Sequence, residues 1–122
     1  MKIKVLTLFR NSEEKLDKYF KRIAALEKKH PKWNFEYCFY ENDSHDNTVK
    51  LLKEWMINRK CKIISERLEM PRWGHEGAGP RMVAMAQCRE KLLEMARPLD
   101  CDWLFMLDSD IVYNPNIIEK YL

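Results

Sequence analysis

Glycine is scarce in this sequence: three in 122 residues, all between Gly74 and Gly79. Backbone freedom is therefore concentrated in one stretch, Glu66 to Gly79, the longest segment without strand or helix periodicity. Paired cysteine motifs are missing too. Cys38, Cys61, Cys88 and Cys101 stand far apart, and three of the four lie in or beside apolar runs. That argues for buried thiols, and against a disulfide framework or a thiolate metal centre. No run of about twenty apolar residues exists to span a bilayer, and the N-terminus reads as a strand, not a secretory leader. A cytoplasmic, reducing setting is the expectation that follows. Nor does one charge dominate: 22 Lys and Arg stand against 19 Asp and Glu, a net +3. Such a balance gives no basis for nucleic-acid binding, although mild basicity suits phosphorylated ligands. Repeats, linkers and low-complexity segments are absent, so a single domain over residues 1–122 is expected.

What is present is an alternation of strand and helix signals. Lys2 to Leu8 reads as a first strand. A helix from Glu13 to Lys29 follows, capped by Asn11 or Ser12, with Leu16, Tyr19, Phe20, Ile23 and Leu26 on its apolar stripe. His30-Pro31 ends it, because proline disfavours helix in the residue before it. Trp33 to Tyr40 is a second strand, and Glu41 to Thr48 has the chemistry of a turn closing on a helix cap. A second helix spans about Asn47 to Arg59, and Cys61 to Ser65 forms a third strand. Pro80 fits the first turn of a third helix, which buries Met82, Val83, Met85, Ala86, Leu92, Leu93 and Ala96 and stops at Arg97-Pro98. Trp103 to Leu107 is an almost unbroken apolar run, the mark of a strand buried on both faces. Asn114-Pro115 then opens a last helix over Asn116 to Leu122. The order β-α-β-α-β-loop-α-β predicts an α/β fold with a mainly parallel sheet and helices on both faces. That last helix has hardly begun when the sequence stops. A truncated or minimal form of a larger domain is therefore expected, or one completed by a partner such as a second copy at the exposed sheet edge.

The fourth strand ends in Asp108-Ser109-Asp110. In open α/β sheets ligands bind beyond the carboxyl ends of the strands. Two acids there can hold a hard cation such as Mg²⁺, which prefers one or two carboxylates plus substrate phosphate oxygens. A phosphatase or nuclease would place an aspartate after the first strand as well, but that turn reads Leu8-Phe9-Arg10-Asn11. His75-Glu76 offers two zinc-type ligands without the second pair that a structural site needs.

Three segments together resemble the nucleotide-binding half of GT-A fold glycosyltransferases. Thr7-Leu8-Phe9-Arg10-Asn11 follows the first strand, where such enzymes begin their nucleotide contacts. Glu41-Asn42-Asp43-Ser44-His45-Asp46-Asn47-Thr48 is similar to the Asp-Asp-x-Ser-x-Asp-x-Thr of family 2 transferases, with Glu41-Asn42 in place of two aspartates. Leu107-Asp108-Ser109-Asp110 looks like their Asp-x-Asp motif. The helix segment Arg81 to Leu93 is similar to the Arg-bearing helix of a fungal Golgi mannosyltransferase family. The resemblance covers nearly all of the chain, but about half of a usual GT-A domain.

This resemblance implies a Rossmann-like, metal-dependent glycosyltransferase domain that takes a nucleotide-diphosphate sugar and an acceptor of unknown kind, with Mn²⁺ or Mg²⁺ as cofactor. A sugar-nucleotide-binding module without turnover of its own is the alternative. Asp110 would ligate the metal, with Asp108 on the ribose or on the metal through water, and Ser109 beside them. Glu41 or Asp43 would accept hydrogen bonds from ribose hydroxyls or a base N–H. Thr7 and Phe9 would line the same pocket, the ring offering a stacking face. Asp46 would either join them or cap the second helix. Arg10, Arg81 and Arg89 are the candidate diphosphate ligands. The loop carrying His75-Glu76 would close over the bound donor.

Overall fold

Hydrophobic side chains on both faces drive one strand to the middle of the sheet: β1 (Lys2–Phe9) is covered on either side. The computed structural model describes residues 1–71 and 78–121. Around β1 lie α1 (Glu13–Lys29), β2 (Asn34–Asn42), α2 (Thr48–Trp55), β3 (Cys61–Glu66), α3 (Ala78–Met95) and β4 (Trp103–Met106), followed by a 3-10 turn, Ile118–Tyr121. The four strands are all parallel, in the order β3-β2-β1-β4. Val5 stands opposite Tyr37 on one side and Phe105 on the other. The chain thus steps outward from β1 to β3 and then returns to the far side of β1. That reversal sets the switch point between β1 and β4, where an α/β sheet opens a crevice.

Strand alternation divides the core in two. Ile3, Val5 and Phe9, with Tyr37 and Phe39, pack under Leu16, Tyr19, Ile23 and Leu26 of α1 and Leu52 of α2. Leu6, Cys38 and Tyr40 point the other way, against Cys88, Leu92 and Met95 of α3 and the adjoining Ala96. The sheet therefore carries two helices on one face and one on the other. α1 keeps its expected bounds. At its end the His30 N–H donates to the carbonyls of Leu26 and Glu27, and the His30 ring stacks on Trp33 with centroids 3.6 Å apart.

Several details differ from expectation. β2 runs two residues further, through Asn42, which carries its end into the crevice region. α2 stops at Trp55, ahead of Asn58, whose backbone is left-handed with φ 66°. α3 begins at Ala78, so Gly79 belongs to the helix and not to the preceding loop. Its buried residues are Ala84, Cys88, Leu92 and Met95, at spacings of four, four and three, whereas Met82 is 71% and Val83 60% exposed. Both phases were available in an apolar helix, and the narrow stripe won because small Ala84 and Cys88 allow close approach to the sheet. β4 is an edge strand and not a doubly buried one: Trp103 and Met106 are 40% and 45% exposed. An apolar run cannot by itself tell a central strand from an edge. The last helix is a single 3-10 turn starting at Ile118. Among the described residues no helix is long and apolar enough to cross a membrane.

Candidate functional site

At the carboxyl ends of β1, β2 and β4, a cleft of about 520 Å³ opens against α3. Its floor is the end of β1 and the turn after it, from Leu8 to Ser12. Asn42 and Met70 form one side, Arg81, Ala84, Met85 and Cys88 of α3 form another, and Lys15 and Ser109 complete the rim. Three cations, Arg10, Lys15 and Arg81, share this space.

The turns that build the floor are laced to one another. Asn11, with φ 45°, donates its N–H to Ser44 Oγ at 2.9 Å and receives the His45 N–H on Oδ1 at 2.7 Å. The Ser12 N–H donates to Thr48 Oγ1 at 2.8 Å. Asp46 accepts the N–H of Thr48 at 3.0 Å and that of Glu13 at 3.2 Å, so one carboxylate serves the first turns of α2 and α1 together. Burial acts to raise its pKa, but the bonds from Thr48 and Glu13 prevail and hold it below the usual value. The Asp43 carboxylate also works inside the protein. Oδ1 accepts the N–H groups of Leu68 and Glu69 at 2.7 and 2.8 Å, and Oδ2 accepts Met70 N–H at 3.1 Å and Asn42 Nδ2 at 3.0 Å. Burial would raise the Asp43 pKa, yet the Asn42 amide and the three backbone donors bring it to about 2. Glu41 is buried, taking the Ser44 N–H at 2.8 Å and the Ser65 hydroxyl at 2.5 Å.

Of the residues singled out in the sequence, Phe9, Arg10, Arg81 and Ser109 reach the cleft. Phe9 is 2% exposed, its ring engaged edge-on by Tyr19 and Phe39 at 5.2 and 5.1 Å. Arg10 donates from Nη2 to Met70 O at 2.6 Å and from Nη1 to Pro71 O at 3.2 Å. Asp108 and Asp110 are exposed beside Ser109, and Asp110 Oδ2 lies 4.0 Å from Lys15 Nζ. Thr7, Glu41, Asp43, Asp46 and Arg89 are not among the lining residues. Thr7 is buried and shares a 2.7 Å hydrogen bond with Tyr19 OH. Arg89, eight residues after Arg81, has rotated by roughly 80° around the helix and away from the cleft. His75 and Glu76 lie outside the described residues. Glu119 lies at the opposite end of the sheet, 3.6 Å from His30 Nδ1.

Lys15, Asn42, Met70, Met85 and Cys88 are among the lining residues that sequence reasoning passed over. Lys15 was within reach, since it stands one turn into the helix that follows the first strand. Met70 and Cys88 gave no signal, because only the tertiary fold brings them to the end of β1.

A divalent cation is compatible with this donor set. Two exposed carboxylates at a strand end suit a cation that completes its shell with phosphate oxygens and water. Among the described residues there is no cluster of three His, Cys, Asp or Glu that would form a complete protein cage.

Comparison with known proteins agrees with this architecture. The family model described as glycosyl transferase family 2 matches residues 4–122. Procollagen galactosyltransferases 1-A and 1-B of Xenopus laevis are both 29% identical, over 94% and 87% of this chain; the chain spans about a fifth of their length, 20% and 18%. Solved structures of S. aureus TarS share the fold. Residues 1–349 in complex with UDP superpose with a TM-score of 0.66 at 20% identity, covering 99% of this chain and 31% of that one. Another TarS structure gives 0.65 at 20% identity, with coverages of 99% and 19%. Matched from residue 4 to residue 122 and folded as a parallel sheet with its cleft at the strand ends, the chain belongs to glycosyl transferase family 2.

Proposed function

We propose that this domain binds a nucleotide-diphosphate sugar in the cleft at the ends of β1, β2 and β4 and serves its transfer to an acceptor. One observation carries the reading: Arg10, Lys15 and Arg81 converge on a strand-end cleft whose rim bears Ser109, with the exposed Asp108 and Asp110 on either side of it in sequence and Asp110 4.0 Å from Lys15. Guanidinium and ammonium groups answer the charge of a diphosphate. Asp110 would be the direct ligand of a Mn²⁺ or Mg²⁺ ion, with Asp108 on the ribose or on the ion through water. Such an ion, when bound, would neutralise the charge that develops on the leaving diphosphate. A uridine nucleotide is the proposed carrier, by analogy with the UDP complex of TarS, and galactose the proposed sugar, by analogy with the procollagen galactosyltransferases.

A second reading, a donor-binding domain without turnover of its own, is favoured by the position of Glu119. That acid, the next in sequence after Asp110, lies by His30 and far from the cleft, so it is no candidate to activate an acceptor.

Calorimetric titration with UDP and GDP, with and without Mn²⁺, tests the proposal on the wild type and Asp110→Ala. Mn²⁺-dependent UDP binding that disappears in Asp110→Ala is the expected result. Equal affinity in the two proteins would remove Asp110 from the site, and no binding by a folded wild type would remove the function. Release of galactose from UDP-galactose by the chain alone separates the first reading from the second.

A further inference from the structure

Just past β2 the backbone of Asp43 turns left-handed, with φ 54°, a conformation that aspartate tolerates better than most residues. The turn aims its carboxylate at residues 68–70. Three consecutive backbone N–H groups close on that one carboxylate, in the manner of an anion-binding nest whose anion is internal. The same short segment presents carbonyls to Arg10: Met70 O and Pro71 O hold its two terminal nitrogens. Arg10, Asn42 and Met70 are neighbouring parts of the cleft wall. A continuous path of hydrogen bonds therefore runs from Asp43, through the backbone of 68–71, to a cation at the cleft.

We propose that Asp43 is a positioning residue: by gripping the N–H groups of Leu68, Glu69 and Met70 it fixes the carbonyls that hold Arg10, and it governs nucleotide binding through Arg10 without touching the nucleoside. The role rests on the nucleotide-binding function proposed above. An arginine left free would have to be ordered on each binding event, and pre-ordering removes that entropic cost. The carboxylate is suited to this task because its acceptor positions are already taken by the four donors. A group so occupied must give up an internal bond before it can read a base or a ribose.

The test is a double-mutant cycle with Asp43→Asn, Arg10→Gln and the double variant, read by UDP affinity in the presence of Mn²⁺. Asparagine keeps the left-handed turn but cannot accept on both arms, and Asp43→Gly serves as a second variant if the first folds poorly. Amide exchange at Leu68, Glu69 and Met70 is measured in parallel without nucleotide. Asp43→Asn is expected to weaken UDP binding by about tenfold, the worth of one good polar contact, and to speed exchange at the three amides. Added to Arg10→Gln, it is expected to change affinity by less than about twofold, because residues that share one path do not act additively. Additive losses would overturn the proposal. So would unchanged exchange, or an altered preference between UDP and GDP with the three amides still protected, which would put Asp43 on the nucleoside. Failure of the wild type to bind either nucleotide would sink the functional reading and this role with it, while the exchange data would still report the grip itself.

Discussion

The ammonium of Lys4 lies 2.7 Å from Asp100 Oδ1, and it also donates to the carbonyls of Ala96 and Pro98 at 2.7 and 2.6 Å. A buried lysine in β1 thus closes the carboxyl end of α3, where backbone carbonyls lack helical partners and a positive charge is favoured. Lys4→Met should leave those carbonyls without a donor and lower stability by about 3 kcal/mol in urea unfolding. Asp100→Asn should cost much less, because that side chain is half exposed and keeps water.

Asp43 makes stability depend on acid. Its folded pKa of about 2 lies below the ordinary 3.8, so its contribution is present in full above that ordinary value. The contribution is lost as pH falls through the folded value, once the proton that the unfolded chain already holds must also be taken up by the native carboxylate. Denaturation midpoints should fall between about pH 4 and pH 2, and the fall should be shallower in Asp43→Asn.

Arg81 and Arg89 should part company. Arg81 lines the cleft and Arg89 does not. Arg81→Ala is expected to weaken UDP binding by about tenfold or more, the scale of a charge-assisted hydrogen bond. Arg89→Ala should leave it unchanged in the same titration.

Glu119 should be dispensable for the donor. Its neighbour is His30 at the amino end of β2, so Glu119→Gln is expected to leave UDP affinity and any UDP-galactose cleavage at wild-type levels. A loss of cleavage in that variant would place the acid in the reaction and overturn the reading of its position.

The pattern of elements was legible because it follows from local rules. Helix α1 kept both expected ends, with Ser12 before it and His30-Pro31 after it. The strand-end rule pointed to the segment that holds Ser109, and the family resemblance to the turn that holds Phe9 and Arg10; all three line the cleft. Phase and depth were less accessible. Met82 and Val83 are as apolar as Leu92, and only the approach of α3 to Leu6 and Tyr40 decides which of them is buried. Trp103 to Leu107 reads the same in an edge strand as in a central one. Asp43 carried the right residue type for a ligand contact, but three of its four donors come from residues 68–70, which no spacing rule ties to it.

The pairing of β1 with β4 joins residues 100 positions apart, as at the bond from Lys2 N to Asp102. The loop-closure cost of contacts so distant in sequence predicts that they close late, after the local β1-α1-β2 unit. Ser109 reaches the cleft only when that closure is complete, while Arg81 and Cys88 depend on α3 docking beneath it. The cleft is therefore withheld from a half-made chain: on a ribosome that has not yet released β4, a correctly folded first unit would still lack the proposed donor site.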